Sequence, residues 1–174
     1  MEITVRSRIS LVVAVSACAL FVAGAGMALA AKASSPRVVK CHMYLSAVPG
    51  ANSAQVDQPP SGGRQYGPAQ CAGKGLGSGV EADKFTVPIS GDLVGTYYQY
   101  FSAGTIKGKF DLVPQESPPL SSTSFATESF KGTVSVTGGT GSLKGTKSTK
   151  AGVMKCTSPD TVHLTCTETV KVTP

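Results

Sequence analysis

The chain has 174 residues, with 16 Lys and Arg against 10 Asp and Glu, a formal net charge of +6, 20 glycines, 11 prolines and no tryptophan. That length suits one ordinary domain behind a leader. The cations stand singly among Thr, Ser and Gly, without basic clusters or interleaved aromatics; this argues against a nucleic-acid partner and for a solvated surface, with attraction to anionic cell-envelope polymers left open.

Residues 1–30 read as a targeting segment. Arg6 and Arg8 make a basic start, residues 9–30 are almost wholly apolar or small, and Ala28-Leu29-Ala30 fits the small-x-small cleavage pattern. Cleavage there leaves residues 31–174 as a single secreted domain. Two alternatives stand beside it. The apolar run is long enough for an uncleaved membrane anchor through residues 9–30. Val15-Ser16-Ala17-Cys18 resembles a lipoprotein cleavage box, although the residues after Cys18 stay apolar through Ala31.

With Cys18 removed, Cys41, Cys71, Cys156 and Cys166 remain. An even number in an exported chain predicts two disulfides. Of the three pairings, chain order favours Cys41–Cys71 with Cys156–Cys166, the second pair bracketing the turn signal Ser158-Pro159-Asp160-Thr161. No C-x-x-C element is present and only His42 and His163 could join the cysteines, so neither zinc nor another metal is expected.

In chain order, Val38–Leu45 is mostly apolar and reads as a first strand. Residues 46–82, rich in Gly, Pro, Ser, Gln and Ala, read as a long loop stapled by Cys71 and open to variable binding. Phe85–Ile89 reads as a short edge strand, the only kind that tolerates Pro88. Val94–Phe101 is a strand with tyrosines on both faces. Thr105–Val113 alternates, with Ile106, Gly108, Phe110 and Leu112 on one side. After a loop at 114–122, Ser124–Phe130 leads into the most regular stretch, where Phe130, Gly132, Val134 and Val136 share a face. Gly138-Gly139-Thr140-Gly141 then suits a tight reversal. Thr146–Thr157 and Thr161–Thr173 complete about eight strands. Glycines 95, 108, 132 and 152 lie within strand patterns, as coiling into a barrel requires. The fold class is therefore all-β, an antiparallel eight-stranded barrel.

The stretch Gly132-Thr133-Val134-Ser135-Val136-Thr137-Gly138-Gly139-Thr140-Gly141, with Gly95-Thr96-Tyr97-Tyr98 and Gly104-Thr105-Ile106-Lys107-Gly108 upstream, resembles the allene oxide cyclase and dirigent barrel family over residues 85–173. Leu143 replaces an aromatic usual in that family. The resemblance implies an eight-stranded antiparallel barrel with an apolar interior, often trimeric, without a cofactor, that acts on or orients small hydrophobic molecules inside it.

No catalytic set stands out. The glycines at 138–145 have the wrong spacing for a phosphate loop and lie between strands. Glu128 and Glu168 are candidate acid–base residues if their faces point inward, where desolvation would raise their pKa; a one-residue slip turns them outward, the commoner case. Tyr98, Tyr100 and Phe110 are candidate ligand contacts. The expected function is a secreted, disulfide-stabilised barrel that binds a small apolar molecule or an envelope component. The alternative is a cofactor-independent isomerase or cyclase.

Overall fold

The computed structural model describes residues 35–49, 61–115, 128–160 and 162–174. The targeting segment and the Pro118-Pro119 loop lie outside those residues. Nine strands follow one another: β1 Arg37–Pro49, β2 Ser61–Ala72, β3 Gly77–Val87, β4 Leu93–Phe101, β5 Gly104–Pro114, β6 Glu128–Gly139, β7 Lys147–Ser148, β8 Gly152–Ser158 and β9 His163–Thr173. All pair antiparallel in the order β1-β2-β3-β4-β5-β6-β8-β9, and β9 pairs back onto β1 from Arg37↔Val172 to Ser46↔His163. The result is a closed barrel of eight staves. The short β7 pairs with the end of β9, so the stave between β6 and β9 is made in two pieces, β7 and β8.

Alternation sets inside against outside on every stave. Val39, Cys41, Met43, Leu45 and Ala47 of β1 point inward, as do Ile106, Phe110 and Leu112 of β5 and Leu164, Cys166, Val170 and Val172 of β9. Burying one parity fixes the register, because a slip of one residue would turn each of these sets into water. Both disulfides form between residues directly opposite on neighbouring staves. Cys41 faces Cys71 across β1–β2, and Cys156 faces Cys166 across β8–β9. In the chain-entropy description, the separations of 30 and 10 residues correspond to about 3.6 and about 2.7 kcal/mol of stabilisation.

Three sequence expectations change. Residues 46–82 are not one loop: β1 runs to Pro49, and β2 and β3 occupy most of the remainder, Gly and Pro notwithstanding. Phe85–Val87 is the end of β3, paired on both sides, not an edge strand; Pro88 lies just beyond it. The glycine segment is not a tight hairpin either. Gly138 and Gly139 still belong to β6, and a 3-10 turn at Gly141–Leu143 makes the reversal. Gly141, at φ +59°, permits it where a Cβ would meet the Ala103 carbonyl oxygen at 2.5 Å. Partnership with β6 resumes only at Gly152.

That turn closes one end of the barrel. Leu143 is buried there, and Ser142 N–H donates to the Ala103 carbonyl at 2.9 Å, tying the turn to the β4–β5 connection. Leu76, Phe101 and Ala103 pack against the core beside it. The opposite end is where β1–β2, β3–β4, β5–β6 and β8–β9 connect, and it holds the partly buried Val87 and Phe130.

Gly108 shows why a glycine stands inside a regular strand. A Cβ there would run into the Tyr97 ring and the Ser135 carbonyl oxygen. Gly108→Ala should therefore cost about 1–3 kcal/mol in urea unfolding, the range for overpacked cores. Gly138→Ala should cost far less, because its Cβ meets only the flexible Lys107 side chain, Cε at 3.2 Å.

Candidate functional site

The barrel interior is mostly apolar; Gln65, beside Asp83 in the β2–β3 register, and Thr146 and Ser158 are buried too, but the acids gather in one layer. Glu81 and Asp83 of β3, Tyr97 and Gln99 of β4, and Glu168 of β9 all point into it, and the three carboxyl residues are 0 %, 4 % and 2 % exposed. Register brings the first four together, with Glu81 beside Gln99 and Asp83 beside Tyr97. Glu168 arrives from the far side: in the ring of eight staves, β9 stands opposite β4. Gln99 Nε2 donates to Glu81 Oε2 at 2.7 Å and to Glu168 Oε2 at 3.1 Å. The Tyr97 hydroxyl donates to Glu168 Oε1 at 3.4 Å. Side chains from opposite walls therefore meet across the barrel axis at this level. The Cys41 Sγ lies 3.9 Å from Gln99 Oε1; as a disulfide sulfur it has no proton to give.

No lysine or arginine is buried among the described residues, so nothing cationic offsets these acids. Burial first, and then the charge of Asp83, holds the Glu81 carboxyl well above the usual range. Burial pushes Asp83 up to about 8, with the charge of Glu168 adding and a hydrogen bond to Glu81 opposing. Glu168 is likewise pushed up to about 8 by burial and by Glu81, against the hydrogen bonds from Gln99 and Tyr97. Burial and the neighbouring carboxylates raise the Tyr97 phenol well above its ordinary value. Like charges in a dry site do not ionise together, so near neutral pH the layer retains protons. A carboxyl that keeps its proton donates as well as accepts. Glu81 can share its proton with Asp83. Beyond that sharing, Glu81 Oε1 and both Asp83 oxygens have no hydrogen-bond partner among the described residues.

The sequence candidates are dispersed by this geometry. Glu168 does point inward and joins the layer. Glu128 is the first residue of β6, half-buried at the barrel end and opposite Ser158. Tyr98 and Tyr100 do not face the interior: they share the outward parity of β4 and are 44 % and 50 % exposed. Phe110 is inside, its ring pressed against Gly95. The three do not converge, because burying Leu93, Tyr97 and Gln99 sends the other parity of β4 outward. Glu81, Asp83 and Gln99 are absent from the sequence candidates; Glu81 falls within the expected loop, and Asp83 between that loop and the expected strand at Phe85. The usable signal was Glu81-x-Asp83-x-Phe85-x-Val87 at period two, with small or polar residues between. Among the described residues, no group of three or more His, Cys, Asp or Glu is placed to hold a metal ion. His163 sits outside the barrel beside Asp160, Nδ1 to Oδ2 at 2.6 Å.

The two disulfides fit an oxidising, extracytoplasmic compartment. No helix among the described residues is long and apolar enough to cross a membrane. No protein-family model, curated protein or solved structure matches the chain.

The raised carboxyl pKa values set a pH dependence of stability. The folded state holds protons that the unfolded chain releases between an ordinary carboxyl value near 4 and about 8. Stability is thus greatest at acid pH and falls as pH rises through that window, at up to about 1.4 kcal/mol per pH unit for each such group. Thermal unfolding followed from pH 4 to pH 9 should show the midpoint falling. Glu168→Gln should flatten the slope.

Proposed function

We propose that this protein is an exported barrel that binds a small, mostly apolar molecule carrying one polar group, with that group held at Asp83. One observation carries the reading: apart from the proton that Glu81 and Asp83 can share, the Asp83 oxygens and Glu81 Oε1 are buried without a hydrogen-bond partner among the described residues. Leaving a buried polar group unmet costs about 1–3 kcal/mol, a cost that a ligand able to meet these oxygens would recover. Leu143 and its neighbours fill one end, so the molecule would sit on the other side of the carboxyl layer, toward the β3–β4 and β8–β9 connections. Its apolar body lies against side chains such as Phe85 and Leu164, and its polar group stops at the carboxyl layer. Because these carboxyls keep protons near neutral pH, a ketone or alcohol oxygen suits them better than a second anion. The targeting pattern and the disulfides support export.

Isothermal titration with medium-chain ketones, alcohols and primary amines tests this. Ketone binding that strengthens as pH falls below about 8, and that disappears in Asp83→Leu, is the expected result. Failure of all three classes to bind, or binding indifferent to Asp83→Leu, rejects the reading.

A second reading is a cofactor-free isomerase or cyclase of the kind the family resemblance implies. It is favoured by Glu168, whose two oxygens are held by Tyr97 and Gln99 and whose pKa of about 8 lies near that of an efficient proton-transfer group. A bound ketone incubated in deuterium oxide should then exchange its α-hydrogens faster than in buffer, and Glu168→Gln should abolish the gain. Exchange at the buffer rate excludes proton abstraction by this site.

A further inference from the structure

Four of the chain's five tyrosines lie on the outside of one side of the barrel. Tyr66 stands beside Ala82, and Ala82 beside Tyr98. In the next row Pro68 stands beside Val80, and Val80 beside Tyr100. Tyr44 continues this strip on β1, two residues from Ser46, the partner of Tyr66. All are well exposed, Tyr44 at 59 % and Tyr66 at 42 %, and the Tyr98 and Tyr100 rings are stacked with centroids 6.4 Å apart and planes at 21°. Soluble proteins seldom leave so much aromatic surface contiguous without a use for it.

A row of cations runs alongside. Arg64 is beside Lys84, Lys84 beside Thr96, and Thr96 beside Lys109, while Lys107 stands next to Tyr98. The Arg64 guanidinium also donates to the Tyr66 hydroxyl at 3.4 Å. No Asp or Glu faces outward on β1–β4; on β5 Asp111 does, two residues beyond Lys109. Three of the chain's ten acidic residues are instead inside the barrel, so the outer wall is more cationic than the sequence total suggests.

We propose that this face binds a strand of acidic polysaccharide, a linear polyuronate, with sugar rings laid on the tyrosines and carboxylates against the Arg64–Lys84–Lys109 row. A tyrosine ring offers an apolar face to the C–H side of a sugar and a hydroxyl to its rim. The cations supply charge-assisted hydrogen bonds to the uronate groups. Charge complementarity selects this occupant. A second copy of the chain would set the cation row against its own image. A single-stranded nucleic acid could use the same chemistry, but the disulfides place the protein in an oxidising compartment, where envelope glycans are the abundant polyanions. The proposal stands on the outer wall alone and is independent of the interior site.

Affinity electrophoresis and titration calorimetry of the exported protein with polygalacturonate, neutral dextran and oligo-thymidine test it. Binding to polygalacturonate that weakens with salt, with none to dextran, is expected. Tyr98→Ala with Tyr100→Ala, and separately Arg64→Gln with Lys84→Gln, should each weaken it by about tenfold or more, roughly 1.4 kcal/mol. The substituted side chains are on the surface, and unchanged thermal unfolding confirms that the variants fold. The proposal is overturned if polygalacturonate does not bind, if the tyrosine variant binds as well as the parent, if oligo-thymidine binds as tightly, or if sedimentation shows that the face pairs copies of the chain instead.

Discussion

Everything in this molecule depends on the β9–β1 ladder. Nine residue-to-residue steps of continuous antiparallel pairing, from Arg37↔Val172 to Ser46↔His163, turn an eight-stave sheet into a ring. Without it the sheet would have two long free edges, each a template for aggregation. With it, every stave acquires an inside and an outside, and each side chain's environment follows from its parity. A chain with 20 glycines and no tryptophan has few large side chains with which to fill a core. Closure compensates, because one ring concentrates Tyr97, Phe85, Phe110, Met43 and Met154 in a single interior.

The same closure traps acid. Three carboxyls and no cation occupy the middle of that interior, linked across the axis through Gln99 and Tyr97. An apolar replacement of similar size would cost the fold nothing in desolvation. A layer of this kind is a local conflict between sequence and stability, of the sort that functional sites sustain. It also sorts charge in space: three acids collect within, and the outer wall of β1–β4 is left to lysine and arginine.

Alternation made much of this legible before any coordinates. The faces of β5, β6 and β9 follow from period two, and the cysteine pairing from chain order; that of β4 does not, because tyrosines stand on both of its sides and Tyr98 and Tyr100 turn out to face outward. The interior of β9 is readable down to Glu168, whose inward side stays open in the sequence because a one-residue slip would reverse it. What stayed hidden was β2 and β3. Gly62, Gly63, Gly67 and Pro68 dilute the pattern in β2, and two acids sit where β3 would normally show apolar residues. Pairing on both sides overrides those local preferences, and pairing with distant strands is what a local window cannot contain. Gly67 illustrates the point: a Cβ there would collide with the Tyr44 carbonyl oxygen, a neighbour more than twenty residues away. The outer tyrosine strip was hidden for the same reason, since its members come from three strands and meet only through register.

The closing ladder has a consequence for the order of assembly. Every ladder from β1 to β6 joins neighbours in sequence, and so can form as local hairpins or meanders. β8 likewise pairs with β6 and with β9, both close to it in sequence. The ladder of β9 with β1 is the exception, since it joins opposite ends of the domain. Contacts of such separation carry the largest loop-closure entropy and form late. The ring therefore cannot shut until β9 has been made, and until then the sheet keeps an open edge at β1. The Cys41–Cys71 bond, between two early staves, is available to hold the growing edge in register during that interval.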